Sequence, residues 1–387
     1  MLKGSSKYSL AAILHCLLPL ALATFLISAC TDIASPAATS TNYDPDLFAW
    51  TTASWMPFTT SDSISGMAFG LIDGQTRYAA VTRSGLIAWS DDGDIWNIAQ
   101  KHESTLLDPF SGGTVFKSVA FGDGGAVKFV AVGDSGRAAY SYDAIKWYSY
   151  TTDGTTHNKM AGFASGNING IAYGGTYFIA VGENGNAAHS GDGITWEDIH
   201  IIDTLFANTT INAICFGDGK FYIAANDGWI GYTADNGSTW HVTNHGGTAP
   251  FWGSNPDNNL ISICYGGPTE DGKVKIGVLC YSGRGMAVTD DFEGSMSNGS
   301  LWDPDLDKTG WDLSNKPLRG IAWGDHYYVA GGVDAHIGWW PDTDRLNDRF
   351  WRYLSYRQFR GREITGIYAL NGRFFVSSIG GKIAYSK

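Results

Sequence analysis

Four aspartates recur in one local setting: Ser90-Asp91-Asp92-Gly93-Asp94-Ile95-Trp96, Ser141-Tyr142-Asp143-Ala144-Ile145-Lys146-Trp147, Ser190-Gly191-Asp192-Gly193-Ile194-Thr195-Trp196 and Thr233-Ala234-Asp235-Asn236-Gly237-Ser238-Thr239-Trp240. An ionised carboxylate in such a turn can ligate a cation, act as a general acid or base, or accept N–H bonds from its own turn. The spacing favours the third. Glycine supplies the positive φ of a tight turn, and a tryptophan shortly after it buries about 150–250 Å² between sheets. Asp92, Asp143, Asp192 and Asp235, with Trp96, Trp147, Trp196 and Trp240, are therefore expected to hold structure rather than to catalyse or to bind calcium.

A second constellation is basic. Arg349, Arg352, Arg357, Arg360 and Arg362 alternate with Phe350, Trp351, Tyr353, Tyr356 and Phe359 in a chain with 38 acidic and 26 basic residues and a formal charge of −12. Such a patch suits a carboxylate ligand, a sulfated or sialylated glycan, or an acidic protein surface. The same alternation suits an outer strand whose arginine stems lie along the sheet. Arg352, Arg357 and Arg360 are the candidate binding residues here. The overall acidity argues against nucleic acid. No H-E-x-x-H, G-x-S-x-G or phosphate-cradling loop occurs, and the histidines lack metal-site spacing. No metal and no cofactor is expected.

These residues sit on a repeated frame. Seven cassettes open with a short apolar strand, mostly closed by an aromatic and a glycine: Gly66-Met67-Ala68-Phe69-Gly70, Ser118-Val119-Ala120-Phe121-Gly122, Gly170-Ile171-Ala172-Tyr173-Gly174, Ala213-Ile214-Cys215-Phe216-Gly217, Ser262-Ile263-Cys264-Tyr265-Gly266, Gly320-Ile321-Ala322-Trp323-Gly324 and the weaker Gly366-Ile367-Tyr368-Ala369-Leu370. A second strand, a Gly turn, a third strand, the polar turn and its Trp follow, which is a four-stranded meander. Fifty glycines and 14% aromatics fit an all-β chain. Self-similarity at this period predicts stacked units closing into a seven-bladed β-propeller of four-stranded antiparallel blades.

The polar turn of 233–240 matches the Asp-box pattern S/T-x-D-x-G-x-T-W, and the other three are one residue shorter. Over nearly all of 48–387 the chain resembles the bacterial neuraminidase-repeat (BNR) propellers, and in particular the non-enzymatic Ycf48-like photosystem assembly branch. In copies five and six Asp291 and Asp342 keep the Asp position, while insertions delay the closing Trp to Trp311 and Trp351. The resemblance implies a propeller without catalysis. The F/Y-R-I-P-like sequence and arginine triad of neuraminidases have no counterpart near 48–70, where Trp55-Met56-Pro57-Phe58 stands. The seventh copy stops at Tyr385-Ser386-Lys387, before its polar turn. The segment 48–58 is expected to supply its missing strand, with Trp55 as the seventh tryptophan.

In such a ring the blade-to-blade loops share a face with the turns between second and third strands. Long loops are expected near 98–116, 148–168, 197–210 and 241–260, carrying His102, Phe110, His157, His200, His245, Phe251 and Trp252, with Trp302 in an insertion at 292–310. Loops on a rigid scaffold are where binding concentrates, and Trp252 is a candidate. Such aromatics also serve to tuck a loop onto the ring. Asp134, Glu183, Asp227 and Asp334 are expected at equivalent turn positions around the axial channel. There they are either solvated turn acids or a carboxylate ring for a cation or basic partner segment.

The N-terminus reads as an address. Lys3 and Lys7 precede an apolar run from Leu10 to Ala29 that ends Leu26-Ile27-Ser28-Ala29-Cys30. This resembles a bacterial lipobox, which implies cleavage before Cys30 and acylation of its thiol. The domains expected are a signal peptide over 1–29, the lipidated Cys30 with a polar tether over 30–46, and the propeller over 47–387. Thr31 rather than Asp after the cysteine favours an outer membrane of a bacterial envelope. Cys215, Cys264 and Cys280 are an odd set, with small buried residues as one reading and a Cys264–Cys280 bridge as another. The sequence thus points to a non-catalytic, membrane-anchored protein-interaction scaffold or assembly factor. The alternative is a glycan-binding surface protein or a diverged glycosidase.

Overall fold

The computed structural model describes residues 49–103, 110, 113–150, 160–163, 166–200, 208–244, 259–280, 286–297, 303–304, 317–341, 352–355, 359 and 362–386. Seven antiparallel meanders form the blades. Their innermost strands are Ile64–Ile72, Phe116–Phe121, Ile168–Gly174, Ile211–Gly217, Leu260–Pro268, Leu318–Gly324 and Ile364–Leu370. Each packs on the next, and the last meets the first, so the ring is closed. Blade 1 continues through Gln75–Thr82, Ile87–Ser90 and Asn97–Ile98, and blade 2 through Phe129–Gly133, Ala138–Ser141 and Lys146–Ser149. Blade 3 adds Tyr177–Gly182, Asn186–Ser190 and Glu197–His200; blade 4 adds Lys220–Ala225, Trp229–Thr233 and His241–Asn244. Blade 5 adds Val274–Cys280, Met286–Thr289 and Asp303–Pro304; blade 6 adds Tyr327–Gly332, His336–Pro341 and Arg352–Ser355. Blade 7 consists of Ile364–Leu370, Arg373–Ser378, Ile383–Ser386 and the N-terminal strand Trp50–Thr52.

The cassette letters have packing reasons. Its small first residue lies against the neighbouring inner strand: a Cβ on Gly66 would come 2.9 Å from Cα of Ser118, and one on Gly320 would come 2.7 Å from N of Ile367. The glycine after the aromatic receives the aromatic of the following blade. A methyl group at Gly70, Gly174 or Gly217 would overlap the ring of Phe121, Phe216 or Tyr265. The motif is therefore a lock between blades, and its period is set by close packing.

The box tryptophans face backwards round the ring. Trp96 shares a core with Phe375 and Ile383 of blade 7, and Trp147 with Val81 and Ile87 of blade 1. Trp196 meets Val130 and Val132 of blade 2, and Trp240 packs with Ile179 and Ile199 of blade 3. In blade 5 this place is taken by a residue the sequence did not single out. Phe292, fully buried, sets its ring edge-on to Tyr222 of blade 4 at 5.1 Å. It opens the six-residue helix Phe292–Ser297. Asp291 turns that helix start by accepting from the Gly294 N–H at 2.9 Å. The position of Trp311 lies outside the described residues.

Closure of blade 7 by the N-terminal segment is as expected, but the tryptophan differs. Trp50, not Trp55, pairs with Ser386, as Trp147 pairs with Ser141. Trp50 is buried among Val329, Ile337 and Phe374, between blades 6 and 7. Trp55 is 52% exposed. Its backbone instead crosses to blade 1, bridging Ile95 in parallel and accepting from the Trp96 N–H at 3.0 Å. Ser54 donates its N–H to Asp94 at 2.9 Å and its hydroxyl at 2.7 Å, completing this strap. A like strap follows blade 1, where Gln100–Lys101 adds a parallel fifth strand to blade 2.

Cys215, Cys264 and Cys280 are buried and are not joined in disulfides. Cys264 and Cys280 share one strand pair, but face Gly277 and Leu260 several residues apart along the ladder, so no bridge forms. Among the described residues no helix is long and apolar enough to cross a membrane.

Removing the Trp50 ring should cost about 3–5 kcal/mol of stability, as for other buried aromatics, whereas Trp55→Ala should change it by no more than about 0.5 kcal/mol, as at an exposed site. Chemical unfolding of Trp50→Ala and Trp55→Ala side by side checks this ordering. Equal effects would contradict the assignment of the closing residue.

Candidate functional site

The box aspartates are consumed by their own turns. Oδ1 of Asp92 accepts from the N–H groups of Asp94 and Ile95 at 2.8 and 2.9 Å and from the Ser90 hydroxyl at 3.0 Å. Asp143 accepts from Ile145 and Lys146, both at 2.8 Å, and Asp192 from Ile194 and Thr195, both at 2.7 Å. Asp235 accepts from the Thr239 N–H and the Thr233 hydroxyl, each at 2.8 Å. The indole N–H groups of Trp96 and Trp147 then donate to the carbonyls of Gly93 and Ala144 at 3.0 and 2.8 Å. Ala144 holds φ at 63° where other boxes have glycine. Burial pushes the Asp92 carboxyl up. The N–H bonds from Ile95 and Asp94 and the Ser90 hydroxyl together outweigh it, so its pKa lies below the ordinary carboxylate value. Asp192 and Asp235 are lowered in the same way, their N–H and hydroxyl donors overcoming desolvation. Such a carboxylate is held ionised by main-chain donors.

The starts of the inner strands carry a different set of side chains. In all seven blades the inner strand slips register at its second residue, a β-bulge. The bulged residues are Ser65, Lys117, Asn169, Asn212, Ile261, Arg319 and Thr365. A bulge frees a residue from the ladder and re-aims its side chain. Here it aims most of them at the next blade. The Ser65 hydroxyl donates to the Phe116 carbonyl at 2.6 Å, Asn169 to Ile211 at 2.9 Å and Asn212 to Leu260 at 2.7 Å. Lys117 reaches Oδ1 of Asn169 at 3.0 Å, and Arg319 pairs with Glu363. The sequence reading missed this ring. Its signal was the residue just before the small first letter of each cassette, polar in six copies of seven.

The turn acids lie beside the starts of the inner strands, with two corrections. Asp134 and Glu183 open their turns, whereas Asp227 and Asp334 hold the left-handed middle position, at φ 57° and 56°. The four are therefore not equivalent. Nor do Asp134 and Glu183 stand as bare solvated acids. Asp134 pairs with Lys117 at 2.6 Å. Glu183 accepts from the side-chain amide of Asn167 at 2.7 Å and from its N–H at 3.1 Å. Asn167 in turn accepts from the Ser135 N–H of blade 2 at 2.8 Å, and Asn259 does the same for Asp227 N–H at 3.1 Å. These asparagines, just before their inner strands, tie one blade's turn to the next blade's entry.

The remaining candidates are placed only in part. The backbone of Arg352 lies in the outer strand of blade 6, paired with Trp339, which fits the outer-strand reading of the basic run. Arg357, Arg360, Trp252, Cys30 and most of the long loops lie outside the described residues. Among the described residues no three His, Cys, Asp or Glu side chains are grouped to hold a metal ion.

A closed ring of seven four-stranded meanders defines the β-propeller class. No family model and no curated protein matches the chain. Among solved structures it is similar to YCF48 from Cyanidioschyzon merolae, with a TM-score of 0.60 and 15% identity over 87% of this chain and 98% of that one. It is similar to the structure titled YCF48 bound to D1 peptide, with a TM-score of 0.60 and 14% identity over 89% of this chain and 97% of that one. The WD40 propeller domain of Doa1 gives a TM-score of 0.56 and 12% identity over 87% of this chain and 96% of that one. At these identities the likeness is one of fold.

The box carboxylates make stability depend on acid. The folded pKa values of Asp92, Asp192 and Asp235 lie below the unfolded value of about 3.9, so their contribution is present above about pH 4 and is lost as pH falls through the folded pKa. Urea unfolding at stepwise lower pH should show stability falling from about pH 5 downwards, by the linkage that governs depressed carboxylates. Asp192→Asn should flatten that slope. An unchanged slope would show that this carboxylate is not held ionised by its turn.

Proposed function

We propose that this chain is a non-catalytic interaction scaffold, anchored by a lipid at Cys30 in a bacterial envelope, that holds a peptide segment of a protein partner. The observation that carries the reading is likeness over 89% of the chain to a propeller whose structure contains a bound peptide. Two features support it. The box carboxylates, the recurrent acids of the chain, are saturated by main-chain donors and so are poorly suited to proton transfer. The starts of the inner strands form a rigid, polar surface whose two bulge cations, Lys117 and Arg319, face paired acids. Such a surface offers hydrogen-bonding edges with its bulge cations already paired, which suits an extended backbone better than a small anion. The lipobox-like Ile27-Ser28-Ala29-Cys30 supports anchoring, and Thr31 supports the outer membrane.

Affinity capture of the acylated protein from gently solubilised envelopes should return a stoichiometric protein. That protein should be weakened by Asp227→Asn combined with Trp252→Ala at unchanged melting temperature. Cys30→Ser should release the chain from the membrane fraction. Retention on a glycan array with no protein partner captured would favour the glycan alternative at Arg352, Arg357 and Arg360 and overturn the scaffold reading.

A further inference from the structure

The outer halves of the blades carry a second repeat, independent of the box. The residue before the box Ser or Thr, or before its register equivalent Ser386 in blade 7, is aromatic in blades 1, 2, 4 and 7: Trp89, Tyr140, Tyr232 and Tyr385. In three of these blades the chain covers that ring with its own cation, drawn from the start of the second strand. Arg77 lies 4.7 Å from the Trp89 centroid, Lys220 5.8 Å from Tyr232 and Arg373 5.3 Å from Tyr385. Acids hold two of these cations in place: Asp91 pairs with Arg77 at 3.2 Å, and Glu293 pairs with Lys220. A cation over an aromatic face is held by the ring quadrupole.

Blade 2 breaks the pattern at two residues together. Lys128 occupies the position of Arg77, just before the residue paired with the box serine. Its ammonium is turned to the Asp123 carbonyl at 3.2 Å. The position of Asp91, inside the box, is Tyr142. Three tyrosines thus meet where blade 1 keeps an arginine between an acid and an indole. Tyr140 and Tyr148 stack at 5.1 Å and 8°, and His102 stacks on Tyr148 at 4.1 Å. Tyr142 stands at 88° to Tyr140 and 80° to Tyr148. The residue is 38% exposed.

We propose that this tyrosine corner of blade 2 takes an external cation, the lysine or arginine side chain of a basic protein partner, in the place where blades 1, 4 and 7 seat their own. The formal charge of −12 steers such a partner towards the molecule, and the corner gives it a seat. The inference deepens the scaffold reading and rests on it.

The test uses the synthetic peptide acetyl-Gly-Lys-Gly-Arg-Gly-amide and the full chain with ring-labelled tyrosine, followed by NMR. The wild type should bind with ring shifts confined to Tyr140, Tyr142 and Tyr148, and Tyr142→Phe should bind equally. Tyr142→Ala should weaken binding about fivefold, the scale of an exposed cation–π contact. The decisive variant is Tyr142→Asp. It rebuilds the acid of blade 1, should draw Lys128 over Tyr140, and should weaken peptide binding although it adds a negative charge. Tighter binding by Tyr142→Asp, or equal binding by Tyr142→Ala, would reduce the effect to net charge and overturn the proposal. A wild type that ignores the peptide overturns it too, while the envelope capture separately decides the scaffold reading. Melting temperatures are compared throughout, and the phenylalanine variant keeps the test valid should the alanine variant fail to fold.

Discussion

The structure depends on one constraint: a blade edge must be covered, and the last is covered by the N-terminal segment. Trp50–Thr52 pairs with Ile383–Ser386 and buries Trp50 between blades 6 and 7. Without it the seventh sheet ends in open N–H and C=O groups, the template for misassembly that β-proteins guard against. Closure then propagates. The strap at Ser54 and Trp55 fastens on Asp94 in the box turn of blade 1, so the joint between first and last blades is held on both sides. Asp62 reinforces it, accepting from Thr59 and Ser84 while its carbonyl accepts from Gly380.

Within that ring, repetition does the packing and departures from it create the chemistry. The small letter, the aromatic and the following glycine recur because each blade must approach its neighbour at one distance. Positions released from that demand are free to vary. The bulge residues are one such set, and they range from serine to arginine. The residue inside the box is another, and its change from Asp91 to Tyr142 alters what lies over the neighbouring aromatic. Blade 5 shows the reverse case. Its box lost the tryptophan spacing, yet Phe292 fills the same wedge, because the space between sheets must be filled whatever the local sequence.

Polar groups follow the same economy of place. The box aspartates, exposed in sequence terms, spend their lone pairs on main-chain donors that the turn would otherwise leave unmet. The turn acids Asp134 and Glu183 are tied to Lys117 and Asn167. The partner contact we propose uses a residue not spent on closure, Tyr142 on the outer flank of blade 2.

The sequence alone determined the blade number and the strand order, because both follow from local periodicity and from turn chemistry within a few residues. It also determined that an N-terminal segment closes the ring, since the seventh copy lacks its last strand. It did not distinguish Trp50 from Trp55, because that choice rests on register with Ser386, more than 300 residues away. It grouped Asp134, Glu183, Asp227 and Asp334 by resemblance of turns, where one residue of offset decides which of them lies in the left-handed position. The bulge ring, the backward packing of the tryptophans and the tyrosine corner were decided by tertiary structure alone. Each joins residues from different blades or from different strands of one sheet, and no local pattern records which neighbours the closed ring will bring together.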